Sequence, residues 1–181
     1  MLWRSILALL VYTTLDKETK EKIKMDLNPN QGWFQLHSKL LNNKIFRRLL
    51  LMRIGLKNSI RYYIVRITYP PKEDFEIGAS TTIGGGVKIY HGHATVVNCY
   101  SMGKNCAIYQ NVTIGRGKTI NGINTPIIGD NVQIFAGAII VGGIRIGDNA
   151  KIGAGAVVVK DVPPNVTVVG SAGRIIETAK D

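Results

Sequence analysis

The stretch IIGDNVQIFAGAIIVGGIRIGDNAKIGAGAVVVK, residues 127–160, repeats one pattern every six residues. An aliphatic side chain recurs at that spacing, at Ile128, Ile134, Ile140, Ile146, Ile152 and Val158. Earlier in the chain the same spacing runs through Ile77, Ile83 and Ile89, slips by one residue, and continues through Val96, Met102, Ile108 and Ile114. Small residues often stand two places before the aliphatic one, as at Thr81, Cys106, Ala138, Ala150 and Ala156.

A six-residue period fits neither the face of a helix nor one long strand. It is typical of a solenoid that is built from short strands, each ending in a bend. Six extended residues cover about 20 Å, and three such strands close a triangular coil. Because one coil buries its aliphatic row only against its neighbours, the coils must stack. The pattern therefore predicts a β-solenoid from Ile77 onward.

The first 66 residues follow a different pattern. Leu2, Ile6, Leu9 and Leu10 predict an amphipathic helix, and a second helical stretch follows the breaker LNPNQG at 27–32. Tandem prolines in TYPPKEDF, at 68–75, end it because proline cannot continue a helix. We therefore expect a helical region at 1–69, a β-helix at 70–170 with a loop at 115–127, and a tail at 171–181.

The net charge of +11 admits nucleic acid, an anionic membrane or a polyphosphate ligand as partner. No nucleic-acid-binding motif accompanies it, so we expect no nucleic-acid partner. One group of basic residues is interleaved with Leu, Ile and Tyr. This pattern predicts either a basic amphipathic surface near anionic lipid or a packed helix with solvated arginines. The group consists of Arg47, Arg48, Arg53, Lys57, Arg61 and Arg66. Two cysteines and no cleavage site predict a cytoplasmic protein, with the inner membrane face as an alternative.

Three stretches resemble the serine acetyltransferase group of the hexapeptide-repeat acyltransferases, in particular its short relatives from bacterial polysaccharide gene clusters. They are IYHGHATVVN at 89–98, CAIYQNVTIG at 106–115 and residues 127–176. The resemblance implies a mainly β fold, a left-handed parallel β-helix with an N-terminal α-helical cap. It also implies an O-acetyltransferase that uses acetyl-CoA as donor. Homotrimers, which can pair, would place the active sites between neighbouring β-helices.

The resemblance also implies which residues carry the chemistry. A hydroxyl gives up its proton only to a positioned base, and histidine suits that task near neutral pH. The family's Ile-Asp-His motif places this base at His91, and the acidic residue fifteen positions earlier corresponds to Glu76, which would orient the imidazole. His93 has no counterpart and could line the site or a subunit contact. We expect no metal, because no third ligand stands at a recognisable spacing from the two histidines.

Two departures from the family pattern concern the acceptor. Tyr90 stands where the family has aspartate, and Asn124-Thr125-Pro126 stands where it has Arg-His-Pro. The family's charged groups would hold the ammonium and carboxylate of serine. With Tyr90 and Thr125 as substrate-binding positions, we expect a saccharide of a surface polysaccharide as acceptor. Serine acetylation for cysteine biosynthesis is the alternative, and a non-catalytic β-helix for assembly or binding is the alternative of another class.

The donor would lie against the last coils. Small residues there, Ala136, Gly137, Gly153 and Ala154, would let a pantetheine arm approach the backbone. Lys160 and Arg174 are candidate partners of the CoA phosphates.

Overall fold

A computed structural model describes residues 2–27, 33–55 and 59–171, and there the chain changes from helices to short strands at Phe75. The helices are α1 (Leu2–Thr13), α2 (Lys17–Asp26), α3 (Trp33–Asn42), α4 (Lys44–Ile54) and α5 (Ile60–Thr68). The strands are β1 (Phe75–Ile77), β2 (Thr82–Ile83), β3 (Lys88–Ile89), β4 (Thr95–Val97), β5 (Ser101–Met102), β6 (Ala107–Ile108), β7 (Thr113–Gly115), β8 (Ile127–Ile128), β9 (Gln133–Ile134), β10 (Ile139–Val141), β11 (Arg145–Ile146), β12 (Lys151–Ile152), β13 (Val157–Val158) and β14 (Thr167–Val168).

The strands form three parallel sheets, and most strands pair with the strand three places along the chain. Sheet A has the order β1-β4-β7-β10-β13, sheet B the order β11-β8-β5-β2, and sheet C the order β14-β12-β9-β6-β3. Each coil thus adds one short strand to each of three faces. This is the triangular solenoid that the six-residue period predicts.

The aliphatic row predicted from the repeat fills the interior. It is buried from Met102 to Val158, where the side chains of successive coils lie on top of one another. The prediction was wrong by one residue in the second coil. Val97, which is 1% exposed and pairs with Ile77, points inward there, and Val96 is only half-buried. The reason is a longer corner after β3, described below.

The helices share a second hydrophobic core and are joined to the first coil by a buried ion pair. Arg53 Nε on α4 donates to Asp26 Oδ2 at the end of α2 across 3.0 Å. The other carboxylate oxygen of Asp26 accepts from the backbone N–H groups of Gly86 and Val87, at 2.8 and 3.1 Å. Because every partner is satisfied within the protein, this pair fixes the helical cap on the coil.

The glycine run at 84–86 is explained by this junction. A Cβ on Gly85 would lie 2.7 Å from Met25 Sδ, so α2 packs directly on its backbone. Gly86 combines a φ of +80° with its hydrogen bond to Asp26. The run is therefore a docking surface for α2.

The predicted basic surface on the helices is not formed as a single face. Arg47 and Arg53 are buried. The guanidinium of Arg47 donates hydrogen bonds to backbone carbonyls, and that of Arg53 donates to the carboxylate of Asp26. Arg48 is half-buried and donates to the carbonyl of Phe75. Only Arg61 and Arg66 of the described members are exposed, and position 57 lies outside the described residues. Within the described ranges, no helix has the length and apolar character needed to cross a bilayer.

Candidate active site

The predicted base, His91, lies on an enlarged corner between sheet C and sheet A. Eight positions separate Ile89 from Val97 here, against six between their strand partners Ile108 and Ile114. The turn reverses tightly, with left-handed φ values of +61° at His91 and +48° at Gly92. The imidazole of His91 is exposed. Two additional residues thus lift His91 out of the regular wall of the solenoid.

Backbone hydrogen bonds show which residues are the additional ones. The N–H of Asn111 donates to the carbonyl of His93 at 2.8 Å. In the next coils the same type of bond ends on the carbonyls of Gln110, at 3.0 Å, and Ala136, at 2.9 Å. His93 therefore occupies the position that Gln110 and Ala136 occupy in later coils, and His91 with Gly92 forms the insertion.

This corner brings together several of the predicted site residues. Ala136 and Gly137 lie in the same corner two coils further along, and Gly153 and Ala154 lie one coil beyond them. Gly137 has a φ of +71° and open space at its Cα, since a Cβ would find no atom closer than 3.8 Å. The exposed His91 thus lies on the same edge of the solenoid as these small residues, with Gln110 and Asn111 of the intervening coil between them.

Aromatic side chains cover the sheet C side of this edge. The ring of Tyr90 stacks on that of Tyr109 at a centroid distance of 4.7 Å, and Tyr109 stacks on Phe135 at 5.2 Å. Tyr90 ends the stack and is 40% exposed, directly beside His91. Beside Tyr109, the side-chain Oε1 of Gln110 is buried and has no hydrogen-bond partner among the described residues. The exposed ring of Tyr90 can contact a ligand that lies next to His91.

His93 is tied to the chain that leads into the solenoid. Its Nδ1 lies 3.4 Å from Asp74 Oδ2 and also contacts the ammonium of Lys72, which lies 3.2 Å from the same carboxylate. Partial desolvation acts to raise the pKa of Asp74, but hydrogen bonds from Lys72 and His93 and the charge of Lys72 outweigh it and hold the pKa below its usual value. The carboxylate and the imidazole that pair near this corner therefore belong to Asp74 and His93.

Glu76 lies on sheet A, paired with Val96, and its side chain is exposed. No hydrogen bond or ion pair joins it to His91 in the described part of the chain. The expected orientation of His91 by Glu76 therefore stays a prediction.

The remaining predicted residues lie on another edge of the solenoid. Thr125 ends the loop before β8, and Lys160 follows β13, so both lie at the corner between sheets A and B. The neighbouring Pro126 anchors the loop through its carbonyl, which accepts from the N–H of Tyr100 at 2.8 Å. Arg174 lies outside the described residues. One subunit alone does not bring Thr125 or Lys160 to the corner of His91.

The sequence reasoning missed Tyr109, Phe135 and Gln110. Tyr109 and Phe135 directly follow Ile108 and Ile134 of the six-residue register, as Tyr90 follows Ile89. In a stacked solenoid, equivalent positions of successive coils lie next to one another. Reading the column beside the aliphatic one would therefore have found the aromatic stack.

Residues 125–160 match the family described as bacterial transferase hexapeptide (six repeats). Serine acetyltransferase of Synechococcus elongatus is 43% identical over 102 residues, which are 56% of this chain and 42% of that protein. The chain thus spans less than half the length of this curated relative.

The fold is similar to that of solved serine acetyltransferases. The soybean apoenzyme has a TM-score of 0.69 at 32% identity, covering 89% of this chain and 70% of that one. The Neisseria gonorrhoeae enzyme in complex with serine has a TM-score of 0.70 at 29% identity, with 94% and 83% covered. A serine acetyltransferase in complex with CoA has a TM-score of 0.65 at 26% identity, with 93% and 73% covered.

The predicted fold class, a left-handed parallel β-helix with an N-terminal helical cap, is confirmed by these structures together with the sheet order. The predicted family is confirmed by the repeats and by the relatives. The chain belongs to the hexapeptide-repeat acyltransferases and, within them, to the serine acetyltransferase-like group.

Proposed function

We propose that the protein is an acetyl-CoA-dependent O-acetyltransferase with His91 as general base. The observation that carries the proposal is the position of His91, which is exposed on a two-residue insertion on the same edge of the solenoid as Ala136, Gly137 and Ala154. Small residues along an edge let a flexible pantetheine arm lie against the backbone. Similarity to a serine acetyltransferase solved with CoA supports the same donor.

In the proposed reaction, His91 removes the proton of an acceptor hydroxyl as its oxygen attacks the thioester carbonyl carbon. The carbon–sulfur bond breaks as the O-acetyl ester forms, and CoA leaves as a thiolate that takes up the proton from the imidazolium. A base placed in this way contributes about 10²–10⁴-fold to the rate. The exposure of His91 on the left-handed turn that it forms with Gly92 supports this role, because an acceptor hydroxyl can reach the imidazole.

The relatives support serine as the acceptor, because the similar sequence from Synechococcus elongatus and the similar solved structures are serine acetyltransferases. The reaction would then yield O-acetylserine and free CoA. Serine therefore replaces the saccharide as the leading candidate for the acceptor.

A saccharide is the second candidate, and one observation favours it. The stacked rings of Tyr90, Tyr109 and Phe135 offer an aromatic surface beside His91, where a charged group would suit serine better. Aromatic rings pack well against the apolar faces of ring-shaped ligands while the phenol groups donate hydrogen bonds.

We further propose that the active site is completed by a second subunit of a homotrimer. Thr125 and Lys160 lie on a different edge from His91, so only a neighbouring β-helix would bring them to it. Exposed apolar residues on sheet A support such a contact, with Ile139 37% and Val157 63% exposed on paired strands. A trimer would bury them and would place the edge of one subunit against that of the next.

The test measures thiol release from acetyl-CoA with L-serine and, separately, with neutral monosaccharides and oligosaccharides. Serine-dependent release that is lost in His91→Ala supports the leading proposal, and saccharide-dependent release supports the second. Release that is equal in His91→Ala and the unchanged protein contradicts the assigned base. No release with any hydroxyl acceptor from folded protein favours the non-catalytic alternative.

A change at Tyr90 separates the two acceptors within one scaffold. Tyr90→Asp restores the carboxylate of the family motif and removes the end of the aromatic stack. It should raise kcat/KM for serine and lower it for a saccharide, whereas Tyr90→Phe keeps the ring and should change either value less. If Tyr90→Asp changes neither value, Tyr90 does not contact the acceptor.

A further inference from the structure

Two stripes of large apolar side chains face solvent on the helical cap. On α1 they are Trp3, Ile6 and Leu10, which are 58%, 52% and 56% exposed. On α5 they are Ile60, Tyr63 and Ile67, which are 76%, 48% and 76% exposed. We call these six residues the outer stripes.

Each outer stripe follows the surface of its helix on the side away from the core. Its residues are spaced by three and then four positions, so they lie on one face. The buried residues of α1 include Ala8 and Val11, and those of α5 include Tyr62 and Val65, on the opposite sides of the two helices. The two helices pack against each other. Side chains of this size are rarely left in water without a partner.

The charged residues on the two helices that carry the outer stripes all have one sign. Neither α1 nor α5 contains an acidic residue. The guanidinium of Arg4 lies 5.7 Å from the ring centroid of Trp3, and Arg61 and Arg66 are exposed on α5. Aliphatic side chains, a tryptophan, a tyrosine and arginines are the composition that suits the boundary between headgroups and acyl chains.

We infer that the outer stripes dock the protein on an anionic lipid surface. A second copy of the chain would present the same arginines to those of the first, and like charges oppose such a contact. An anionic bilayer instead pairs with the arginines while its acyl region takes up the apolar side chains. Docking leaves the solenoid, with the corner of His91, in water.

The test is co-sedimentation of the full chain with vesicles of phosphatidylcholine alone and of phosphatidylcholine mixed with phosphatidylserine. Binding should need the anionic lipid and should weaken with added salt. The double change Ile60→Ser with Ile67→Ser should reduce binding at least tenfold, because two exposed side chains lose their insertion into the acyl region. Circular dichroism should stay unchanged, since both residues lie outside the core.

Val169→Ser is the matched control, since Val169 on the solenoid is 77% exposed and Ile67 is 76% exposed. It should leave vesicle binding unchanged, whereas Arg66→Gln should weaken binding and its dependence on salt. Equal binding to both vesicle types, or no binding to either, overturns the inference. A change in sedimentation mass with Ile60→Ser and Ile67→Ser, without a change in vesicle binding, would assign the outer stripes to contact between copies instead.

Discussion

Gly92 is the residue on which the position of His91 depends. Its φ of +48° is left-handed, and a Cβ there would lie 2.8 Å from Ile45 Cδ1 of α4. Gly92→Ala therefore adds two costs. The left-handed conformation costs an L-residue about 1–2 kcal/mol, and overpacking against Ile45 costs about 1–3 kcal/mol. The sum, about 2–5 kcal/mol in the free energy of unfolding, is measured by urea denaturation.

Two comparison variants separate these contributions. Gly122→Ala has a φ of +79° and no atom within 4 Å of the new Cβ, so it should show only the conformational cost. Ile45→Val removes the Cδ1 atom and should recover about 1 kcal/mol of the loss when it is combined with Gly92→Ala. Gly92→Ala should also lower kcat, because the His91 turn must move. A loss no larger than that of Gly122→Ala, with no coupling to Ile45, would refute the packing argument.

Three other changes give distinct outcomes. His91→Ala should lower kcat about 10²–10⁴-fold, whereas His93→Ala should lower kcat less than tenfold. Neither change should shift the melting temperature, since both side chains are exposed. Equal losses of kcat in the two variants would contradict the assignment of His91 as the base. Asp26→Asn should cost about 3–5 kcal/mol in urea unfolding because it leaves a buried arginine unpaired, and a loss like that of an exposed α2 acid would contradict this. Burial raises the pKa of Cys99 to about 12 and of Cys106 to about 11, from an ordinary 9.0. Unfolded thiols therefore ionise first, so the free energy of unfolding should fall as the pH rises from 9 toward 11, and a double alanine variant should flatten that slope; an unchanged slope would show that the thiols are not responsible.

The solenoid was predictable because one local rule generates it. Each strand contributes one inward aliphatic residue, and each coil meets only its neighbours, so the periodicity along the sequence is also the periodicity in space. The single error, Val96 for Val97, occurred where the chain leaves that rule. The insertion of His91 and Gly92 changes the length of one corner, and spacing alone indicates that a corner is irregular without giving its exact register.

The contacts of the cap were not predictable in the same way. The helical pattern predicts that Arg53 lies on the surface. It is buried instead, because Asp26, 27 positions away on another helix, pairs with its guanidinium. Nothing in the spacing of the two residues indicates this meeting. The pair of Asp74 with His93 was missed for a similar reason, since the family motif directed attention to Glu76. Partners that belong to different elements depend on how those elements pack.

The enlarged corner at His91 has a consequence for how such a protein can change over time. A strand in this fold is held by the strands directly above and below it, and the corner keeps its own bond to the next coil, from the N–H of Asn111 to the carbonyl of His93. Two residues can be added at one corner while the neighbouring coils keep their register, as Ile108 and Ile114 do beside it. The solenoid therefore tolerates insertions at its corners, and a new functional side chain can be introduced at one corner while the rest of the coil keeps its structure.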